Sequence, residues 1–170
     1  MIRLFILAAA VSLFVQPTAA QESEGFAYLR IASPALPPVR LGSIDVADYN
    51  LDRQPDIALS GGAPTRAWTK VFRFAREDQE VTMGGRIIYT AIFVDPTTAD
   101  IEQSWLGTVR WGDLNGDGRP DLLATGSRRF DPPFEPSTQV YLNRGDAFIR
   151  TSTALPDVYN SMAAWGDYDG

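Results

Sequence analysis

Short apolar runs separated by Gly, Pro and Asn alternate along the chain after residue 20, and no segment there has the three- and four-residue apolar spacing of a helix. Runs at residues 57–59 and 122–124 directly follow acidic loops, and residues 69–74 and 138–143 form the next runs. Residues 26–31 predict an earlier strand, and residues 81–94 predict a long hairpin that turns at Gly84 and Gly85. The pattern predicts an all-β fold, in which each unit contains a strand, an acidic loop, a strand, a loop and a strand.

The chain contains an internal repeat. Residues 41–61 and 106–126 share a Leu-Gly pair, an Asp, an Asn, an Asp, a Pro-Asp pair and a final Gly at equivalent positions, offset by 65 residues (113 − 48). A third copy begins at residue 164 and runs to Gly170. Repeats of this length are typical of stacked or radially arranged supersecondary units. We therefore divide the chain into units at about residues 36–100 and 101–154 and an incomplete third unit at 155–170.

Each complete copy contains an acidic loop with the chemistry of a calcium site. Side-chain oxygens alternate along the loop, and Ca²⁺ takes about six to eight oxygen ligands, including main-chain carbonyls. The predicted ligands of the first loop are Asp48, Asn50, Asp52, the Gln54 carbonyl and Asp56. Those of the second loop are Asp113, Asn115, Asp117, the Arg119 carbonyl and Asp121. The third copy supplies only Asp167 and Asp169, which cannot complete a site.

The acidic loops have two alternative interpretations. A helical EF-hand loop needs an acidic residue at its last position, where this chain has Leu59 and Ala124, so that class is excluded. An Asp- and Asn-rich turn without metal stays open, although recurrence in register favours the metal. Arg53 stands where the second loop has Gly118, and a left-handed non-glycine residue costs on the order of 1 kcal/mol. We therefore expect weaker calcium binding at the first loop.

Composition excludes several kinds of chemistry. The 170 residues contain no Cys and no His, which excludes disulfides, thiolate nucleophiles, imidazole bases and the usual zinc sites. With 15 basic and 21 acidic side chains, the net charge of −6 gives no broad basic surface, so no nucleic-acid partner is expected. Every well-placed Asp already belongs to an acidic loop. We assign no catalytic residue and expect this segment not to be an enzyme.

The first twenty residues have the pattern of a secretory signal peptide. One Arg precedes an apolar run at residues 4–15, and small residues follow up to Ala20. The run is shorter than the ~20 residues needed to cross a bilayer, and no later stretch reaches that length. We predict a signal peptide at 1–20 and a mature repeat region at 21–170. The protein is then secreted, periplasmic or on the cell surface, without a membrane span after cleavage.

Residues 111–126, 140–143 and 165–170 resemble the FG-GAP/VCBS repeats of integrin-alpha-like β-propellers, more closely the bacterial secreted ones. Leu-Gly at 41–42 and 106–107 stands where that family has Phe-Gly, and residues 62–64 spell its Gly-Ala-Pro element. The resemblance implies four-stranded blades around an axis, structural calcium in the loops, and a role in adhesion, ligand binding or non-catalytic scaffolding. Because a propeller has about 4–8 blades, it also implies that this chain, with about two, is an N-terminal fragment.

The ligand of such a domain, an unknown protein or glycan, is not readable from the sequence. The alternative functions are a lectin-like propeller and an accessory domain of a polysaccharide-active enzyme. Trp68, Trp105 and Tyr159, predicted in loops, are the candidate sugar contacts. Trp111 and Trp165 recur at one repeat position, which predicts core packing instead.

Overall fold

The computed structural model describes residues 12–15, 27–31, 36–63, 65–81, 87–95, 100–145, 147–152 and 154–167. All ten regular elements in these ranges are strands, which confirms the all-β prediction. Their bounds are β1 Ser12–Val15, β2 Ala27–Ile31, β3 Arg40–Ala47, β4 Asp56–Ala63, β5 Arg66–Val81, β6 Ile87–Val94, β7 Val109–Gly112, β8 Asp121–Ser127, β9 Pro136–Asn143 and β10 Phe148–Arg150.

Strands β3, β4 and β5 pair antiparallel in chain order, and β7-β8-β9-β10 form a four-stranded antiparallel sheet. Within the described residues neither sheet closes on itself. The strand predicted at 26–31 is β2, and β5 and β6 flank the predicted turn, which lies outside the described residues. No described helix has the length and hydropathy needed to cross a bilayer.

The chain divides into two compact units. The first comprises Met1–Leu36 and Phe74–Val94, where β2 pairs antiparallel with β1 and parallel with β6. β1 falls within the predicted signal peptide, whose cleavage stays a prediction. The second unit comprises Pro37–Arg73 and Asp95–Gly170, and it holds β3, β4, the first half of β5 and the whole β7–β10 sheet. Both acidic loops belong to this second unit.

The two repeats form their strands in the same register. Val46 faces Ile57 across β3 and β4, and the equivalent Trp111 faces Leu122 across β7 and β8. On the other side of the central strand, Ile57 faces Phe72, and Leu122 faces Tyr141. The alignment read from the sequence is therefore the alignment of the folded strands.

The repeated Leu-Gly pair has a steric basis. Leu41 and Leu106 both have a φ of 53°. A Cβ added to the following glycine would lie 2.0 Å from the Ser60 carbonyl oxygen at Gly42 and 1.8 Å from the Thr125 carbonyl oxygen at Gly107. These distances are far below van der Waals contact, so a residue larger than glycine does not fit at position 42 or position 107.

The core of the second unit combines side chains of both repeats, because the β4 and β8 strands are buried along nearly their whole length. Trp111 packs against it, and its ring stacks on Tyr49 with a centroid distance of 5.8 Å and an interplanar angle of 3°. The core-packing prediction for Trp111 is confirmed. The buried members are Tyr49, Ala58, Val71, Ile101, Val109, Leu122, Ala124, Tyr141 and Phe148.

Residues 155–167 belong to the third unit. They extend along the second repeat without forming a described strand. Asn160 has a φ of 50°, close to the 53° of Leu106, which lies 54 residues earlier (160 − 106). The Asn160 N–H donates to the Leu106 carbonyl at 2.6 Å, and the Trp165 Nε1–H donates to the Arg110 carbonyl at 3.2 Å. Asn160 thus repeats the left-handed conformation of Leu106.

Candidate calcium-binding loops

The two acidic loops occupy the same place in their repeats. The first acidic loop, residues 48–56, connects β3 to β4, and the second acidic loop, residues 113–121, connects β7 to β8. Alternate side chains of each loop fold back onto the loop's own backbone. The consequence is a turn whose shape is set by Asp and Asn side chains, which commonly bond to nearby backbone groups.

The first Asp of each loop accepts two backbone hydrogen bonds. Asp48 accepts from the N–H groups of Asp52 at 2.9 Å and Arg53 at 2.7 Å. Asp113 accepts from the N–H groups of Asp117 at 3.1 Å and Gly118 at 2.8 Å. A carboxylate has about four lone-pair sites, so both groups retain capacity for a cation.

The middle of each loop repeats the same pattern. The Asn50 Oδ1 accepts from the Asp52 N–H at 3.0 Å, and its Nδ2 donates to the Asp52 carboxylate at 2.9 Å. The corresponding distances between Asn115 and Asp117 are both 3.0 Å. The Asp52 carboxylate also accepts from the Gln54 N–H at 2.8 Å, and the Asp117 carboxylate accepts from the Arg119 N–H at 2.9 Å. The two loops therefore share one hydrogen-bond network.

The last Asp of each loop is fully buried. Asp56 accepts from the Tyr49 N–H at 3.2 Å, and Asp121 accepts from the Leu114 N–H at 2.9 Å. The other oxygen of Asp121 accepts from the Asn143 N–H at 2.8 Å. A buried carboxylate requires such partners because losing its hydration is costly. These two residues thus fasten the loops to the sheets.

Asn143 is a site residue that the sequence analysis placed only in a strand. It is fully buried, and its Nδ2 donates to the Tyr49 carbonyl at 2.7 Å and the Pro120 carbonyl at 3.1 Å. It thereby joins the second repeat to the first acidic loop. The sequence does contain an indication of this role. The first repeat has the apolar Phe74 at the equivalent position, and a polar side chain in a buried position needs hydrogen-bond partners.

The loops differ at their left-handed positions. Arg53 has a φ of 70° and Gly118 a φ of 82°, which confirms the left-handed conformation expected from the alignment. Leu51 and Gly116, with φ of 62° and 71°, form a second such pair that the sequence analysis did not identify. The first acidic loop therefore carries two non-glycine residues where the second carries two glycines.

Electrostatics favour a charged second loop. The pKa of Asp117 lies below its ordinary value, first because the Arg119 N–H donates to the carboxylate and next because the Asn115 amide does. Positive charge on Arg119 and Arg144 adds to this lowering, and the Arg144 Nη1 lies 3.9 Å from the Asp117 Oδ2. Asp117 is thus ionised throughout the neutral range.

Among the described residues, no group of three or more His, Cys, Asp or Glu side chains is arranged to hold one metal ion. Each predicted set contains three Asp carboxylates, one Asn amide oxygen and one main-chain carbonyl, all of which are donors that Ca²⁺ accepts. Because every predicted donor is an oxygen, the donor chemistry fits calcium better than a softer ion. Asp167 is exposed, and its predicted partner Asp169 lies outside the described residues.

The candidate sugar contacts are placed differently from the prediction. Trp68 lies in β5, not in a loop, between the cations of Arg66 and Lys70. Trp105 is buried, with an exposed fraction of 7%. Its ring stacks on that of Phe130 with a centroid distance of 4.2 Å, and its Nε1–H donates to the Arg129 carbonyl. Of the three, only Tyr159 is exposed. Trp105 and Tyr159 both contact Phe134, with ring-centroid distances of 6.1 Å and 5.1 Å.

Comparisons with protein-family models, with curated proteins and with solved structures give no match to this chain. The candidate function consequently depends on the loops themselves.

Proposed function

We propose that the two acidic loops bind Ca²⁺ and that the chain is a calcium-stabilised repeat domain of an extracellular binding or scaffolding protein. The observation that carries this proposal is the shared hydrogen-bond network of two loops 65 residues apart (113 − 48). A turn needs no repeated carboxylates to close. Each loop carries three carboxylates within nine residues, and negative charge at this density favours cation binding.

The role of the metal in this proposal is structural. Each loop joins two strands of one sheet, so an ion held there stiffens the start of β4 or β8. A ligand present at 100 times its dissociation constant stabilises the folded state by about 2.7 kcal/mol. Extracellular calcium would thus add substantially to a domain whose total stability is about 5–15 kcal/mol.

The test is a calcium titration of the full chain by calorimetry, with thermal melting in calcium and in chelator. We expect heat of binding and a higher melting temperature in calcium, and little effect of magnesium. Matched variants Asp52→Asn and Asp117→Asn each keep one side-chain carbonyl oxygen but remove the negative charge, and each should weaken one loop only. Absence of binding heat together with equal melting temperatures would reject the proposal.

The finer proposal is that the repeats are blades of a β-propeller. Support comes from the first strands of successive repeats, which lie side by side in the second unit. The Trp111 N–H of β7 donates to the Asp45 carboxylate of β3 at 2.8 Å, and Ser43 donates to the Val109 carbonyl at 3.4 Å. An experimental structure of the natural protein tests this, since blades must be related by rotation about one common axis.

Secretion belongs to the same proposal. The support is the sequence of residues 1–20, with its single Arg, apolar run and small residues before Gln21. Mass spectrometry of the protein recovered outside the cytoplasm should find Gln21 at the amino terminus. A retained Met1 in that material would contradict the cleavage.

A further inference from the structure

The asparagines of the two acidic loops are followed by different residues. Asn50 precedes Leu51, and Asn115 precedes Gly116. Their amide groups make the same contacts: each Oδ1 accepts the N–H two residues ahead at 3.0 Å, and each Nδ2 donates to the carboxylate there. The loops therefore offer a comparison in which the following residue differs while the hydrogen bonds of the amide stay the same; Asn115 is also exposed where Asn50 is half-buried.

An asparagine amide is open to attack by the backbone nitrogen of the next residue. The Gly116 nitrogen would bond to the Asn115 Cγ while the Cγ–Nδ2 bond breaks; the proton from the Gly116 nitrogen passes through water to Nδ2, which leaves as ammonia. Water then opens the resulting five-membered imide at either carbonyl, giving aspartate or isoaspartate. No oxidant or reductant is required. A side chain on the attacking residue obstructs this approach, and glycine has none.

The surroundings of Gly116 leave room for the imide. A Cβ added at Gly116 would meet no atom within 4 Å. Both Asn115 and Gly116 are exposed to water, the second reactant. Within the described part of the chain, no acceptor engages the Gly116 N–H. The Asp117 N–H that donates to Oδ1 also draws electron density from Cγ, which favours attack at that carbon.

We propose that Asn115 is a spontaneous deamidation site and that Asn50, in the equivalent position, is not. The product carries an additional negative charge in the second acidic loop. In its isoaspartate form it also inserts one methylene into the backbone between residues 115 and 116. Because Asp113 accepts N–H groups on the far side of that bond, the insertion displaces the hydrogen bonds that shape the loop.

The experiment follows the unmodified full chain during incubation at mildly alkaline pH in chelator, with peptide mass spectrometry at both asparagines. We expect deamidation of Asn115 to be roughly ten-fold or more faster than that of Asn50, because only Asn115 precedes glycine. Two matched variants exchange the following residue: Gly116→Leu should slow the reaction at Asn115, and Leu51→Gly should raise it at Asn50.

Each outcome has a definite meaning. Equal rates at Asn50 and Asn115, or a Leu51→Gly variant in which Asn50 stays stable, would overturn the proposal. If Gly116→Leu unfolds the chain, the Leu51→Gly comparison still decides, because it changes a loop whose backbone already has the required φ. The consequence for calcium rests on the proposed function: added calcium should slow the reaction at Asn115 only if that loop binds it, whereas the rate in chelator is independent of metal binding.

Discussion

The first and second acidic loops bend the backbone through nearly the same angles with different residues. Leu51 and Arg53 have φ of 62° and 70°, and Gly116 and Gly118 have φ of 71° and 82°. A left-handed non-glycine residue costs roughly 1–2 kcal/mol. The first loop nevertheless repeats all six described side-chain hydrogen bonds that form within the second loop. The side-chain network thus imposes the turn, and glycine only lowers its cost.

The loops also differ in how they are joined to the sheets. Asn143 at the end of β9 holds Asp121 of its own repeat through its N–H and the Tyr49 carbonyl of the first repeat through its side chain. The second repeat therefore supports both loops. We therefore expect substitutions at Asp121 or Asn143 to affect the first acidic loop as well as the second.

The largest expected effect comes from Asp121→Ala. This change removes the acceptor of the Asn143 N–H and the Leu114 N–H, and an unsatisfied buried group costs about 1–3 kcal/mol. Denaturant unfolding should show a loss of about 2–4 kcal/mol. Asp131→Ala, at an exposed position, serves as the control and should change little. A loss below about 1 kcal/mol would show that Asp121 is not the anchor of the loop.

A smaller loss is expected from Gly118→Arg, which gives the second acidic loop the residue of the first. The φ of 82° opposes a side chain, so the free energy of unfolding should fall by about 1–2 kcal/mol. Calcium affinity of the second loop should decrease in parallel. If the variant and the parent were equally stable, the left-handed conformation at residue 118 would carry no cost for a non-glycine residue in this loop. The same unfolding curves and a calcium titration measure both quantities.

The reverse change, Arg53→Gly, should stabilise the chain by less. Relief of the strained φ of 70° is partly offset by the greater freedom of glycine in the unfolded chain. We expect a gain below about 1 kcal/mol in chelator, visible as a higher denaturation midpoint with an unchanged slope. A destabilised Arg53→Gly variant would indicate that the Arg side chain contributes contacts beyond its backbone strain.

The sequence predicted the strands that flank the acidic loops, their register and the left-handed Arg53, because each depends on a pattern that recurs between copies. It did not predict Asn143 or the burial of Trp105. Those depend on side chains far apart in sequence: Asn143 meets Tyr49, 94 residues away, and Trp105 meets Arg129, 24 residues away. Trp68 was predicted in a loop, but it lies in a strand, since β5 begins two residues earlier at Arg66. Local pattern fixes strand pairing, whereas burial of an aromatic ring depends on which distant loop covers it.

The smallest expected effect concerns charge beside the second acidic loop. Arg144 lies 3.9 Å from Asp117, and the first repeat has Ala75 in the equivalent place. The pKa of Asp117 is lowered mainly by the Arg119 N–H and the Asn115 amide, and least by Arg144. A carboxyl whose folded pKa is lowered stabilises the folded state above its ordinary pKa, and that contribution disappears as pH falls through the lowered value.

Arg144→Gln should therefore raise the pKa of Asp117 only slightly, and Asn115→Ala should raise it more, because the amide hydrogen bond is the larger cause. Carbon-detected NMR titration of the carboxyl groups in calcium-free buffer measures both. The opposite order would mean that charge outweighs the loop's own hydrogen bonds at Asp117. In calcium, removal of the guanidinium that lies 3.9 Å from Asp117 should strengthen binding at the second loop and leave the first unchanged, because no positive charge at that position then opposes the ion.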